Sequence, residues 1–397
     1  MSRRRAVVVG AGIGGLTAAV ALHRRGWEVG VHERSADPAP GAGIVLAPNA
    51  LRAFDAIGFD VERATGSAVP AAVGLRRPDG RWLQRARTEA LTRRYGRPPL
   101  AVHRAALTAG LAAALPPGTI RYASTVRRVD DAEGAAPVVR TAGGDDVRAD
   151  VVIAADGINS PLRRQYFPAH PGLHHSGETA WRTVVTAEGL PPLVTTETWG
   201  RGERFGVVPL ADGRVYVYAT AVVPPGTRPA DVRTELARRF GRWHDPVPAL
   251  LDRLDPDALL QHDLYDLAAP LPRLHHGRLA WLGDAAHAMT PNLGQGGCQA
   301  IEDAVVLAHL LDGADRDGAP RALAAYSAAR RDRTDAIRVR ARRAGRVAAL
   351  RNPLAAAVRD FAVRATPARL GLRAVDDLYD GFALPSPRAA FAARPLG

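Results

Sequence analysis

The stretch Ala6-Val7-Val8-Val9-Gly10-Ala11-Gly12-Ile13-Gly14-Gly15-Leu16, answered by an acid at Glu33, decides the fold. Ala6 to Val9 is a short apolar run that predicts a buried parallel strand. A helical pattern runs from about Gly14 to Arg25 and stops at Gly26, a C-cap. Val29 to His32 predicts a second strand with Glu33 at its end, completing a βαβ opening. Gly10 permits the tight turn, Gly12 lets a diphosphate approach the backbone, and Gly15 lets helix pack close on strand. The free amides and positive helix end meet the phosphate charge. Glu33 is expected to accept hydrogen bonds from an adenosine ribose. A carboxylate there disfavours a 2′-phosphate, so FAD or NAD is expected rather than NADP. The basic, then apolar, N-terminal residues superficially resemble a signal peptide. The placement of the glycines and of Glu33 reads instead as mature structure, and a cytoplasmic location is expected.

The remaining composition narrows the function. The 397 residues are 47% hydrophobic and 23% charged, enough for a large core in two or three domains. One cysteine, Cys298, excludes an internal disulfide and any multi-cysteine metal or iron–sulfur site. The net charge is +13, and the sequence contains no lysine, so every Lys+Arg position is arginine. Mechanisms that need a catalytic amine, a Schiff base or a P-loop lysine are therefore excluded. The arginines are scattered rather than interleaved with aromatics, which favours a compositional bias over a nucleic-acid or membrane partner. No apolar run reaches the roughly 18 residues of a transmembrane helix.

Further along, 41–58 predicts a glycine-rich loop and then a helix. Residues 69–85 predict alternating strands turning at Pro78-Asp79-Gly80, and a helix is expected from about Arg104 to Leu115. Strands are expected at 119–129 and 137–140, then a strong one from Val151 to Ala155. Alternation at 179–187, 204–210 and 214–222 predicts an antiparallel sheet with one covered face. Helices are expected near 230–240, 246–253 and 296–311 and across 319–365. The expected architecture is α/β: a Rossmann-like domain of residues 1–70, 100–171 and 275–345, an inserted antiparallel-sheet substrate domain of 71–99 and 172–274, and a C-terminal helical segment, 346–397.

Two further segments carry chemistry. Val151-Val152-Ile153-Ala154-Ala155-Asp156-Gly157 ends a buried strand in an acid–glycine turn, and Ser160-Pro161 opens a helix. Gly283-Asp284-Ala285-Ala286-His287-Ala288-Met289-Thr290-Pro291-Asn292-Leu293-Gly294-Gln295-Gly296-Gly297-Cys298 is the most specific. Its small residues keep side chains clear of a bound group, Asp284 can accept hydrogen bonds from a polyol chain, and its glycine run leads amides into a helix.

Together the three segments resemble the FAD-dependent aromatic hydroxylases, the group A flavin monooxygenases of the p-hydroxybenzoate hydroxylase type. The resemblance covers nearly the whole chain. It implies FAD contacts from Gly10, Gly12, Gly14, Gly15, Glu33, Arg34, Val45, Arg104, Val126, Asp156, Asp284 and Pro291, and from Gly294, Gln295, Gly296, Gly297 and Cys298. It implies hydroxylation of a small aromatic or heteroaromatic substrate through a flavin C4a-hydroperoxide, with O2 and transiently bound NAD(P)H. The segment around Trp199 to Pro209 looks like the urate hydroxylase and salicylate hydroxylase-like branch, in which Arg204 and Tyr216 match residues that face substrate. Arg204 could hold a substrate anion in its planar fork. The branch pattern departs at Asn292, where urate hydroxylase carries an aspartate, and at Trp181-Arg182, where it carries Trp-Asn. Trp181, Arg182 and Asn292 are thus expected in the pocket, with a substrate other than urate. No metal is expected; a monomer or homodimer is.

The alternatives are plainer. Arg204 could be a surface residue beside Glu203, and Tyr216 a sheet residue capping the core. His287, Glu302 and Asp303 read as structural. Cys298 reads as chosen for size, with a thiolate at a helix start as the reactive alternative. A flavin halogenase needs a lysine and is excluded. A reductase or dehydrogenase on the same scaffold would consume no oxygen, and a nucleic-acid binder would show affinity falling steeply with salt.

Overall fold

The computed structural model describes residues 4–37, 42–134 and 136–386; Gly41 and the last eleven residues of the tail lie outside the described residues. A six-stranded sheet is built from strands far apart in sequence, in the order His275–His276, Leu279–Trp281, Val151–Ala154, Arg5–Val9, Glu28–His32, Ile120–Arg121. All pairings are parallel except that of the first two strands. Arg5–Val9 lies in the middle, Val8 opposite both Ile153 and Val31, and its apolar run is buried as the sequence predicts. The helix Ile13–His23 covers this sheet and packs along Gly296–Asp312. A core of small and branched side chains from both chain halves joins them.

The middle of the chain forms a seven-stranded sheet in the order Leu260–Leu267, Leu173–Thr186, Arg214–Val222, Glu203–Pro209, Thr195–Trp199, Ala72–Arg76, Trp82–Arg87. It is antiparallel except where Thr195–Trp199 runs parallel to Ala72–Arg76. One face is closed by Val232–Phe240 and Val247–Leu251, through Leu236, Phe240, Val247 and Leu250. The strands at 195–199 and 260–267 are additions to the expected pattern. So is the strand Gly43–Leu46, paired antiparallel with Leu100–His103 where a glycine loop is expected. The expected 119–129 strand is split: Ile120–Arg121 edges the parallel sheet, while Val126–Asp130 joins a three-stranded one. Ala123, at φ 51°, lies between them. The C-terminal helices are Ala319–Ala348, Pro353–Ala365, Ala368–Arg373 and Asp376–Tyr379.

Candidate active site

The glycine loop has the close packing its spacing demands. A Cβ on Gly15 would overlap the carbonyl oxygen of Gly10 and lie 3.2 Å from Ala155 Cβ. Gly10 sits at φ 107°, where an L side chain is strained, and a Cβ there would overlap the Ala155 carbonyl. A Cβ on Gly14 would press on Leu282 Cδ1 at 2.8 Å and Ala300 Cβ at 3.0 Å. The turn after the first strand and the helix start therefore lie against Ala155 of the second motif and against Leu282 and Ala300, which flank the third. Gly12 differs, for a Cβ there would meet nothing within 4 Å. It caps the helix with no side-chain hydrogen bond and leaves the amide end open. Glu33 closes the far side: Oε2 accepts from the Ala11 amide (2.7 Å) and Oε1 from the Ser35 amide (2.9 Å). Arg34 is exposed next to it. The Ser124 amide donates to the Glu33 carbonyl (2.7 Å), which brings buried Val126 to the same end.

The acid–glycine turn follows. Asp156 Oδ2 accepts from the Leu162 amide (3.2 Å), while Oδ1 is buried with no partner among the described residues. Burial pushes its carboxyl above the usual carboxylate range, against the pull of Ser160 and Arg163.

The third motif turns one acid outward. Residues 281–290 are buried except Asp284. Its Oδ1 lies 4.0 Å from where a Gly296 Cβ would be, so this carboxylate and the start of the long helix border one space. Gly294, at φ 63°, ends the short turn opened by exposed Pro291. A Cβ on Gly297 would meet Ile44 Cδ1 at 2.8 Å, and Cys298 Sγ lies 4.0 Å from the Val45 carbonyl. Cys298 is wholly buried, and burial pushes its thiol up to about 12, so the thiolate reading is set aside. The Gln295 side chain faces inward: its Oε1 accepts from Asn49 (3.0 Å) and Gln299 (2.9 Å).

Behind this loop lies a buried ionic network that the sequence does not announce. Arg330 donates to Asp303 Oδ1 (2.7 Å), Glu302 Oε2 (2.5 Å) and Gln299 Oε1 (2.6 Å). Asp303 Oδ2 accepts from the Gly283 amide (3.0 Å) and pairs with His287 Nε2 (2.5 Å). Asp303 and His287 thus hold the Gly-Asp turn against the helix, and Glu302 joins Arg330 and Arg333 to Asn49 and Gln299, a structural part in each case.

The seven-stranded sheet brings its open face to the same place. Arg204, Tyr216, Tyr218 and Thr220 share that face with Glu178, Arg182 and Glu197, as the ladder register requires. Arg204 is 3% exposed and so is no surface residue. It donates to Glu178 Oε1 (2.7 Å), Thr220 Oγ1 (3.0 Å) and Asn292 Oδ1 (2.6 Å), the last reaching across to the cofactor loop. Glu197 lies 3.8 Å away and accepts from Tyr218 (2.5 Å) and from Trp199. The expected role for the Arg204 fork is corrected here, because two carboxylates already compensate its charge. Asn292 Nδ2 binds Thr290 Oγ1 (2.9 Å) and the Ala341 carbonyl (3.0 Å), tying the loop to helix Ala319–Ala348. Tyr216 packs so closely on Gly43 that a Cβ there would overlap its ring. Burial raises its phenol pKa, against the positive Arg182 and Arg104 nearby, so it remains a donor at neutral pH. Arg104 is exposed at the start of its helix. Trp181 is a second correction. Strand alternation turns it to the opposite face, among Phe205, Val217 and Phe240, so it supports the sheet and lines no pocket.

The residues present fit FAD. An outward acid in a buried segment, an orphaned Asp156 oxygen and an open glycine N-cap all await a polar partner. Asp284→Ala is expected to weaken FAD affinity by about tenfold, roughly 1.4 kcal/mol, and to leave stability within about 0.5 kcal/mol because the side chain is exposed. Titration of the apoprotein with FAD, with thermal melts alongside, checks both.

Comparison with known proteins agrees with this geometry. Residues 3–341 match the family model described as an FAD binding domain. An aurachin C monooxygenase/isomerase from Stigmatella aurantiaca is 37% identical over 363 residues, 90% of this chain and 93% of that one. An FAD-dependent urate hydroxylase from Klebsiella pneumoniae is 34% identical over 346 residues, 85% of this chain and 89% of that one. The crystal structure of Klebsiella pneumoniae HpxO with FAD and uric acid superposes with a TM-score of 0.85 at 28% identity, covering 99% of this chain and 98% of that one. The chain binds FAD and belongs to the group A flavin monooxygenases, enzymes that hydroxylate aromatic or heteroaromatic substrates.

Proposed function

We propose that this enzyme hydroxylates a neutral, electron-rich nitrogen heteroaromatic ring bearing N–H or O–H donors, such as a hydroxyquinoline or quinolone. One oxygen atom of O2 enters the ring and the other leaves as water, with two electrons from NAD(P)H. The observation that carries this reading is the Arg204 cluster. Arg204, Glu178 and Glu197 together sum to one net negative charge, and Arg182 on the same face brings the face that meets the cofactor loop to neutrality. Such a surface has its Arg204 cation already compensated and offers carboxylate oxygens that accept hydrogen bonds from a neutral ring. The relatives named for aurachin C and for urate support that class. The aspartate of the urate pattern is absent at Asn292, which supports a substrate other than urate.

Bound FAD supplies the redox chemistry with O2 that no side chain can perform. Gly10, Gly12, Gly14, Gly15, Glu33, Arg34 and Val126 are assigned to its ADP half. Asp156 and Asp284 are assigned to the linking chain. Val45, Arg104, Pro291 and residues 294–298 are assigned to its ring, with Gln295 contributing backbone. Amides at the start of helix Gly296–Asp312 would face developing negative charge on the ring. Residues 71–99 and 172–274 form the roof that excludes water; Tyr216 orients the substrate, and Arg204 acts through the carboxylates it holds in place.

A panel of hydroxyquinolines, purines and salicylates tests this by NAD(P)H oxidation coupled to hydroxylated product. Acceleration by hydroxyquinolines is expected; a response to salicylates alone overturns the proposal. Arg204→Gln is expected to lower kcat/KM by about tenfold, because it releases Glu178, Glu197 and Asn292, which Arg204 holds in place, with FAD affinity within about twofold. Because it strands Glu178, the double variant Arg204→Gln/Glu178→Gln is expected to recover stability and not turnover.

A further inference from the structure

The helix Pro353–Ala365 is inside out. Its inward side carries Ala356 and Arg359, both buried, with Asp360 half-buried beside them. Arg359 donates to the carbonyls of Ala348 (2.8 Å) and Gly200 (3.0 Å) and to Asp360 Oδ1 (2.8 Å), and its guanidinium lies 5.4 Å from the Trp199 ring centre. The outward side carries Leu354, Val358 and Phe361, which are 78%, 68% and 74% exposed. Their i, i+4, i+7 spacing sets them in one stripe, and exposed Ala357 and Ala365 continue it. Asn352 caps the helix, its Oδ1 accepting from the amides of Leu354 (3.0 Å) and Ala355 (3.1 Å). The element is thus anchored through its polar side and presents its apolar side to the outside.

The surroundings of this stripe are basic. Arg346 and Arg351 precede the helix, Arg364 flanks it, and Arg85 and Arg87 lie on the strand against which it packs. All five are exposed, and none has a carboxylate partner among the described residues. We propose that this face docks the enzyme on an anionic lipid surface, with Leu354, Val358 and Phe361 at the acyl boundary and the arginines on headgroup phosphates. Charge selects this occupant over a second copy of the chain. An isologous dimer through the same patch would set arginine against arginine, whereas an anionic bilayer is complementary to them. No helix of the described residues is long and apolar enough to cross a membrane, so the contact is peripheral.

Flotation of the FAD-loaded enzyme with vesicles tests the proposal. Binding to vesicles with about one-third phosphatidylglycerol in phosphatidylcholine is expected, falling about tenfold in pure phosphatidylcholine or at high salt. Leu354→Ser/Phe361→Ser and Arg346→Glu/Arg351→Glu are each expected to reduce vesicle binding at least about fivefold, with FAD content and soluble NAD(P)H oxidation unchanged. Absence of binding to the anionic vesicles, or binding that both double variants retain, overturns it. A parent dimer that Leu354→Ser/Phe361→Ser dissolves, without vesicle binding, also overturns it and assigns the face to a second copy.

Discussion

Gly15→Ala and Gly12→Ala are expected to lose FAD for different reasons. The Gly15 Cβ would fall on the Gly10 carbonyl oxygen, with Ala155 Cβ at 3.2 Å on the other side. Both obstacles belong to the sheet and its turn, so neither can swing away. Overpacking of this kind costs about 1–3 kcal/mol. It also displaces the loop proposed to receive the diphosphate. The variant is expected to melt several degrees lower and to purify without colour. Gly12 has φ −72° and ψ 176°, open to any residue, and a Cβ there meets nothing. Gly12→Ala is therefore expected to leave the apoprotein at least as stable as the parent. Its methyl group would take the space proposed for the phosphates, so FAD affinity is expected to fall about 10–100-fold, roughly 1.4–2.8 kcal/mol. Thermal melts of the apoproteins and FAD titrations separate the two effects. Parent-like FAD affinity in Gly12→Ala would place the diphosphate elsewhere.

The second large effect lies behind the cofactor loop. Arg330→Met removes the cation shared by Glu302 and Asp303, both with wholly buried side chains. Breaking a buried pair from one side costs about 3–5 kcal/mol. The pH dependence gives the cause. Burial opposes ionisation of Asp303, but His287 and Arg330 overcome it and hold the carboxyl at about 2; Glu302 is lowered as well, chiefly by Arg330 and Arg333 against its own burial. A folded pKa below the unfolded value means stability present above the ordinary carboxylate range and lost as pH falls towards about 2. In Arg330→Met the burial cost is no longer offset by this cation, so ionisation becomes unfavourable. The stability gap between parent and variant is expected to widen as pH rises from about 3 to about 6. Denaturant melts across that range measure it, and a gap independent of pH would remove these carboxylates as the cause.

The cofactor half of the site was legible because its chemistry is local. Gly15 meets the Gly10 carbonyl and Glu33 the Ala11 amide within one βαβ unit, whereas Gly10 is constrained by Ala155 from a distant strand; Asp284 lies in a run of small residues, the place proposed for a polyol chain. The substrate half was less legible. Trp181 and Arg182 are neighbours in sequence, but strand alternation sends one into the helix-covered core and the other to the open face. Thr195–Trp199 and Leu260–Leu267 escaped the apolar pattern because buried threonines at 196 and 198, and polar residues along an edge strand, do not read as core.

By itself, then, the sequence determined a nucleotide cradle, the absence of lysine chemistry and an inserted sheet, because glycine spacing and apolar period are short-range constraints. Only the tertiary structure decided which charges meet. Arg204 finds Glu178 and Asn292, Arg330 finds Glu302 and Asp303, and Arg359 turns a helix inside out. Ion pairing acts across a few ångströms of space irrespective of separation along the chain. With 53 arginines and 40 acids to choose from, composition leaves the partners open, and folding selects them.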